Sequence, residues 1–259
     1  MASGTALRSL AATEWASLTS RLSVASPTAE KWWGKIEAAY GETQRAYHTL
    51  EHIDELLVHI GRVSSGATPT HQWHNLDAIL LATFFHDVVY DPRAGDNEEQ
   101  SCAVLEAYAR EADMPVGAEG RRPRAALVAA VAVLCTKSHS AEAPGSRGAG
   151  LPVEVVSSAG GVSSALVAEL SEGELQDIRV FLDADMAILA AGRERYARYA
   201  RQVAAEFSHL EVPAYRAGRG AFLDALVASG RPVFHTPAFA AENSKAMENM
   251  RWEAELLRA

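Results

Sequence analysis

Leu81-Ala82-Thr83-Phe84-Phe85-His86-Asp87-Val88-Val89-Tyr90 is an apolar run with an imidazole and a carboxylate side by side in its middle. A run of this composition belongs in the interior, where two adjacent titratable groups are expensive to bury unless something compensates them. A metal ion is the simplest compensation. The aromatic and aliphatic neighbours would exclude water, hold the two side chains in place and strengthen the electrostatics of such an ion. The rest of the chain can then be searched for the remaining ligands.

Upstream, Tyr47-His48-Thr49-Leu50-Glu51-His52-Ile53-Asp54-Glu55-Leu56-Leu57 reads as a helix with His48 and His52 one turn apart and so on one face. Downstream, Phe181-Leu182-Asp183-Ala184-Asp185-Met186-Ala187-Ile188-Leu189 again sets carboxylates inside a run that otherwise has core character. The result is an ordered set: His52, then His86-Asp87, then Asp185.

Helical patterning continues on both sides. Trp15, Leu18 and Leu22 recur at helical spacing, and Pro27-Thr28 opens a second helix through Trp32, Trp33, Ile36 and Tyr40, closed by Gly41. The three tryptophans read as packing residues. The His48/His52 helix is expected to run to about Ile60, and Asn75 or Asp77 to begin the helix carrying His86-Asp87. Asp91 to Asp96 is a turn, Asn97 leads a helix through Tyr108, and residues 122 to 137 form a strongly apolar helix. The Gly-, Ser-, Ala- and Pro-rich stretch at about 140–173 reads as a surface insertion, partly mobile, or equally as a lid. Helices resume from Glu174 through Asp185, over Arg193 to Leu210, over Pro213 to Ser229 and over roughly Ala240 to Arg258. With no period-two strand series and no internal repeat, the expected fold class is all-α.

Composition narrows the classes further. A chain of 259 residues with 48% hydrophobic content can bury a large core. The formal charge of −9 disfavours nonspecific nucleic-acid binding, which needs a basic surface. Cys102 and Cys135 sit in apolar contexts without paired spacing and read as buried free thiols of a reducing compartment, so the cytoplasm is the expected location. No stretch has the pattern of an export signal or the length to span a bilayer, and no membrane partner is expected.

The order His, His-Asp, Asp resembles the HD superfamily of metal-dependent phosphohydrolases. Tyr47 to His52 is similar to the Tyr-His-Asn-x-x-His segment of cyclic-nucleotide phosphodiesterases, and the interval from His52 to His86 is similar too. The Tyr47–Ile53 segment, Phe85 to Tyr90, Asn97-Glu98, Asp183 to Leu189 and the Glu242 to Glu255 stretch together resemble an uncharacterised bacterial group of predicted HD phosphohydrolases. A lone His-Asp dipeptide carries little weight; the ordered set carries much more.

The resemblance implies one HD-type helical bundle over residues 1–259, with His52, His86, Asp87 and Asp185 as ligands of one divalent ion and Asp87 able to bridge to a second. Two imidazoles and two carboxylates neutralise a dication and leave octahedral positions for water, which suits Mn, Fe, Mg, Co or Zn. Asp183 competes with Asp185 for the fourth position; Asp185 is preferred because the family's final aspartate is followed by a larger side chain, here Met186. His48 would protonate the leaving oxygen, its alternative being a histidine hydrogen-bonded in the core. His139 would touch a second metal or a phosphate, or simply place a cation at a helix C-terminus. Asn97 and Glu98 would hydrogen-bond a metal-bound water or a ligating histidine, or else cap their helix. Arg45, Arg93 and Lys137 are candidate phosphate holders, against the alternative of ordinary solvated charges.

The implied activity is hydrolysis of a phosphate ester of a nucleotide or other small metabolite by a metal-activated water, with Asp87 and His48 at its centre and a homo-oligomer compatible with the pattern. Two alternatives stand beside it. A di-iron oxygenase would need extra histidines between Asp87 and Asp185, where only His139 occurs; a sensor would bind a nucleotide without chemistry.

Overall fold

From Ala78 to Phe85 every side chain is buried. A helix apolar on all sides has to be wrapped by others, and this one, α4 (Leu76–Phe85), is. Around it pack α3 (Leu50–Ser64), α5 (Asn97–Glu111), α6 (Arg124–Thr136) and α7 (Glu172–Asp185), with α6 lying along it most extensively. The computed structural model describes residues 9–65, 68–114, 123–137 and 169–259. Among the described residues the chain is helical without a strand, as an all-α fold requires.

Two helices precede this group: α1 (Leu10–Arg21) and α2 (Ser26–Tyr40). Their Trp15 and Trp32 are buried against the end of α4, where Phe84 lies 5.2 Å from Trp15 and Phe85 lies 5.2 Å from Tyr108 of α5. The residues just before His86 are thereby clamped. After α7 come a short 3-10 turn (Met186–Ala190), α8 (Arg193–Glu206), α9 (Val212–Ala228), a second 3-10 turn (Ala240–Glu242) and α10 (Asn243–Arg258). Helices α9 and α10 pack against each other, and α10 packs against the first 3-10 turn. Gly230, with φ of +64°, takes the left-handed turn that ends α9, a conformation glycine adopts without steric cost. Buried apolar side chains of all ten described helices join in one core. Among the described residues no helix is long and apolar enough to cross a membrane.

Caps fix where the helices begin. Ser9, Thr49 and Asn75 accept amide hydrogens from Ala12, Glu51 and Ala78, and Ser171 and Glu174 form a reciprocal capping box. Two of the boundaries that differ from the sequence reading bear on the site. α3 starts at Leu50, so His48 lies in the turn before it and not on the helix, because Glu206 draws the amides of residues 46–48 away from helical bonding. α4 stops at Phe85, so His86 caps it and Asp87 lies beyond, since Arg45 takes the carbonyls of Asp87 and Val88. α7 starts at Glu172, inside the stretch read as an insertion. The question of a lid there, and His139, fall outside the described residues. Cys102 and Cys135 are buried free thiols, and burial pushes the Cys135 thiol up to about 12.

Candidate metal centre

The ends of two helices and the start of a third build the site. His86 at the end of α4, Asp87 just past it, Asp185 at the last position of α7 and His52 in the first turn of α3 meet there. The carbonyl ends of α4 and α7 carry partial negative charge, which favours a cation between them. Asp87 Oδ2 lies 3.0 Å from His86 Nε2 and Asp185 Oδ1 lies 3.1 Å from His52 Nε2, while the two Nε2 atoms are 3.1 Å apart. Asp185 Oδ1 is also 3.5 Å from His86 Nε2. Donors held about 2.1 Å from one ion, at neighbouring corners of an octahedron, lie roughly 3 Å from each other. His52, His86 and Asp87 each offer an atom within 4.8 Å of the others, and Asp185 joins them through both imidazoles.

The tautomer of His86 is settled by its other nitrogen. Nδ1 faces the carbonyl oxygen of Thr83 at 3.0 Å, which can only accept, so Nδ1 donates and the Nε2 lone pair points into the cluster. Burial alone disfavours charge on this ring, but Asp87 and Asp185 beside it hold its proton affinity well above the ordinary histidine range. Against its own burial, Asp87 is held well below the usual carboxylate range by the same imidazole and by His48. The cluster demands positive charge, which a ring proton or a divalent ion can supply. Its donors, two imidazole nitrogens and two carboxylates, fit such an ion.

His48 stands beside this cluster with its Nε2 4.0 Å from Asp87 Oδ2. Its ring stacks on Tyr90 with centroids 4.1 Å apart, and its Nδ1 donates to Glu206 Oε2 at 2.7 Å. The same oxygen accepts from the Tyr90 hydroxyl at 2.9 Å, while Oε1 accepts the amides of Ala46, Tyr47 and His48 at 2.8, 2.7 and 3.0 Å. Burial pushes the Glu206 carboxyl up; the bonds from His48 and the amides overcome it and hold the group down to about 2. An ionised Glu206 has no proton to give, so His48 carries its own on Nδ1 and turns Nε2 toward Asp87. Sequence reading missed Glu206, a glutamate in an amphipathic helix 158 residues from His48 with no local signal of its role.

A cavity of about 570 Å³ opens from His48, His52, Asp87 and Asp185 toward α9. Glu98 lines it, half-buried, its carboxyl pushed up by that burial. Asn97 also lines it, but its amide is occupied on both sides by the backbone of Asp91, so it fastens the 91–96 turn and does not cap α5. Lys137 borders the cavity while paired with Glu99.

Arg45 does not line the cavity. Its buried guanidinium donates to the carbonyls of His48, Asp87 and Val88 at 3.3, 2.6 and 3.1 Å, leaving it to join two loops and not to hold phosphate. Arg93 is exposed on its turn, away from the cavity wall. Asp183 is not at the cluster either: its carboxylate accepts the amides of His235 and Thr236 and the Thr236 hydroxyl, at 2.9, 2.7 and 2.6 Å. His235 also borders the cavity.

No family model matches this chain, and no curated protein or solved structure does.

Proposed function

We propose that the protein is a metal-dependent phosphohydrolase, cleaving a phosphate ester of a small metabolite. The observation that carries the reading is the chain of neighbouring donor atoms 3.0 to 3.5 Å apart that links Asp87 to His86, His86 to His52, and Asp185 to both imidazoles, with the His86 tautomer fixed from behind. The resemblance of the ordered motif to HD phosphohydrolases points the same way. A divalent ion bound there lowers the pKa of a coordinated water and offsets charge on phosphoryl oxygens.

The chain's own residues supply the rest. Asp87 stands between the cluster and His48, where it can orient the attacking water. His48 presents Nε2 to the cavity with Glu206 behind it and Asp87 in front, placed to hand a proton to the departing oxygen. Tyr90, stacked on the imidazole, fixes its plane. Arg45 ties the backbones of His48 and Asp87 together, setting the distance between the proton donor and the ligand.

Metal content by elemental analysis and phosphate release across a panel of phosphoesters with Mn, Mg, Co and Fe test the reading. His86→Ala is expected to lose both the ion and turnover, whereas His48→Ala keeps the ion and loses rate by about 100-fold or more. An active, metal-free His86→Ala protein would refute it.

A further inference from the structure

The metal cluster occupies one part of the cavity; what lines the rest bears on the substrate. Three carboxylates, those of Asp87, Glu98 and Asp185, and three cations, Lys137, Arg219 and Arg231, border it. The described lining is therefore formally neutral. The cations are also committed: Lys137 to Glu99, Arg219 to both carboxylate oxygens of Glu253 and to the Tyr199 hydroxyl, and Arg231 to contacts of its own. A phosphate monoester, at about −1.5 to −2, matches the charge of a single divalent ion. A di- or triphosphate would place further negative charge against Asp87, Glu98 and Asp185 without a described cation at liberty to meet it.

The remaining wall is hydrocarbon. Met186 and Ile188 of the first 3-10 turn face the cavity together with Phe222 and Leu226, which lie one helical turn apart on α9. Phe222 is 51% exposed, a large ring left at the cavity wall where the fold itself does not cover it. The Arg219 guanidinium sits 5.6 Å from that ring, so the aromatic face is rimmed by polar groups, as an apolar ligand patch usually is.

We propose that the site takes a phosphate monoester whose ester group is aromatic or comparably apolar, seated on Phe222, Leu226, Met186 and Ile188, and that it discriminates against nucleoside di- and triphosphates. The inference rests on the hydrolase reading for the phosphate end only. The apolar subsite stands on the lining of α9 and the 3-10 turn.

The test uses the full chain, metal-loaded, with 2-naphthyl phosphate, glycerol phosphate and ATP as substrates, in wild type, Phe222→Ala and Leu226→Ala. Binding of 2-naphthol to the metal-stripped protein, followed by fluorescence, gives a readout independent of turnover. The naphthyl ester is expected to exceed ATP in kcat/KM at least tenfold. Phe222→Ala should lower the naphthyl-to-glycerol selectivity ratio about tenfold, chiefly through KM, and weaken naphthol binding by a similar factor. A protein that hydrolyses none of these esters yet binds naphthol through Phe222 overturns the hydrolase reading and keeps the apolar subsite. One that hydrolyses ATP best, with both variants leaving the ratio where it was, overturns the present inference and leaves the hydrolase standing.

Discussion

Beside the His52–His86–Asp87–Asp185 cluster, Glu206 is the side chain whose two oxygens are both fully used. Replacing it by Gln keeps an oxygen for the three amides but turns an NH2 group toward His48 Nδ1 and the Tyr90 hydroxyl. His48 would then have to accept at Nδ1 and carry its proton on Nε2. Glu206→Gln is thus expected to switch the His48 tautomer, visible in the nitrogen chemical shifts of the ring, and to lower turnover by about 100-fold or more while the ion stays bound. Tyr108 illustrates the opposite case. It is fully buried among Trp15, Trp32 and Phe85, and its hydroxyl finds no partner among the described residues. Tyr108→Phe removes a buried polar atom without opening a cavity and is expected to raise stability by about 1 kcal/mol in urea unfolding. At this scale the sequence singles out His86, Asp87 and Asp185, since charge inside an apolar run is conspicuous, and His52 by its spacing from His48. It cannot announce Glu206 or separate Arg45 from Arg93, because a charge in a mixed helix or turn looks alike whether it is buried or solvated.

Among elements, the loop between α9 and α10 depends most on borrowed hydrogen bonds. The Asn243 side-chain carbonyl accepts the amides of Val233 and Phe234 at 2.6 and 2.9 Å, and Asp183 on α7 accepts those of His235 and Thr236. Burial pushes the Asp183 carboxyl up and the bonds from Thr236 and His235 act against it. Asp183→Ala would strand two amides and a hydroxyl in the interior, so a loss of about 2 to 4 kcal/mol in thermal unfolding is expected, with metal stoichiometry equal to that of the wild type. Helix existence along the chain is legible from periodicity, yet the two ends that matter most are not. His48 leaves α3 and Asp87 leaves α4 because side chains distant in sequence claim their backbone groups, and local patterning contains no trace of those partners.

For the molecule as a whole, acid is the informative perturbation. Glu206 sits near 2 in the folded chain against 4.5 as its ordinary value, and Glu174, where the Arg124 and Ser171 bonds outweigh burial, also sits near 2. Since both are depressed on folding, the stability they give is complete above pH 4.5 and disappears as pH falls from there toward 2. Urea unfolding across that window should show a decline to which Glu206 contributes on the order of 2 kcal/mol, and Glu206→Gln should flatten that share of the slope. The all-α architecture follows from the sequence because helical periodicity is sustained over long stretches; the cavity does not, since its walls come from α3, α5, α6, α9 and the 3-10 turn, converging from remote positions. That dispersal also orders events in time. On a ribosome the imidazoles of His52 and His86 emerge well before Asp185, and His48 waits for Glu206, encoded 158 positions later. A nascent chain therefore carries both imidazoles and Asp87 before Asp185 and the prop behind His48 exist, and the arrangement is complete only once translation has passed α8.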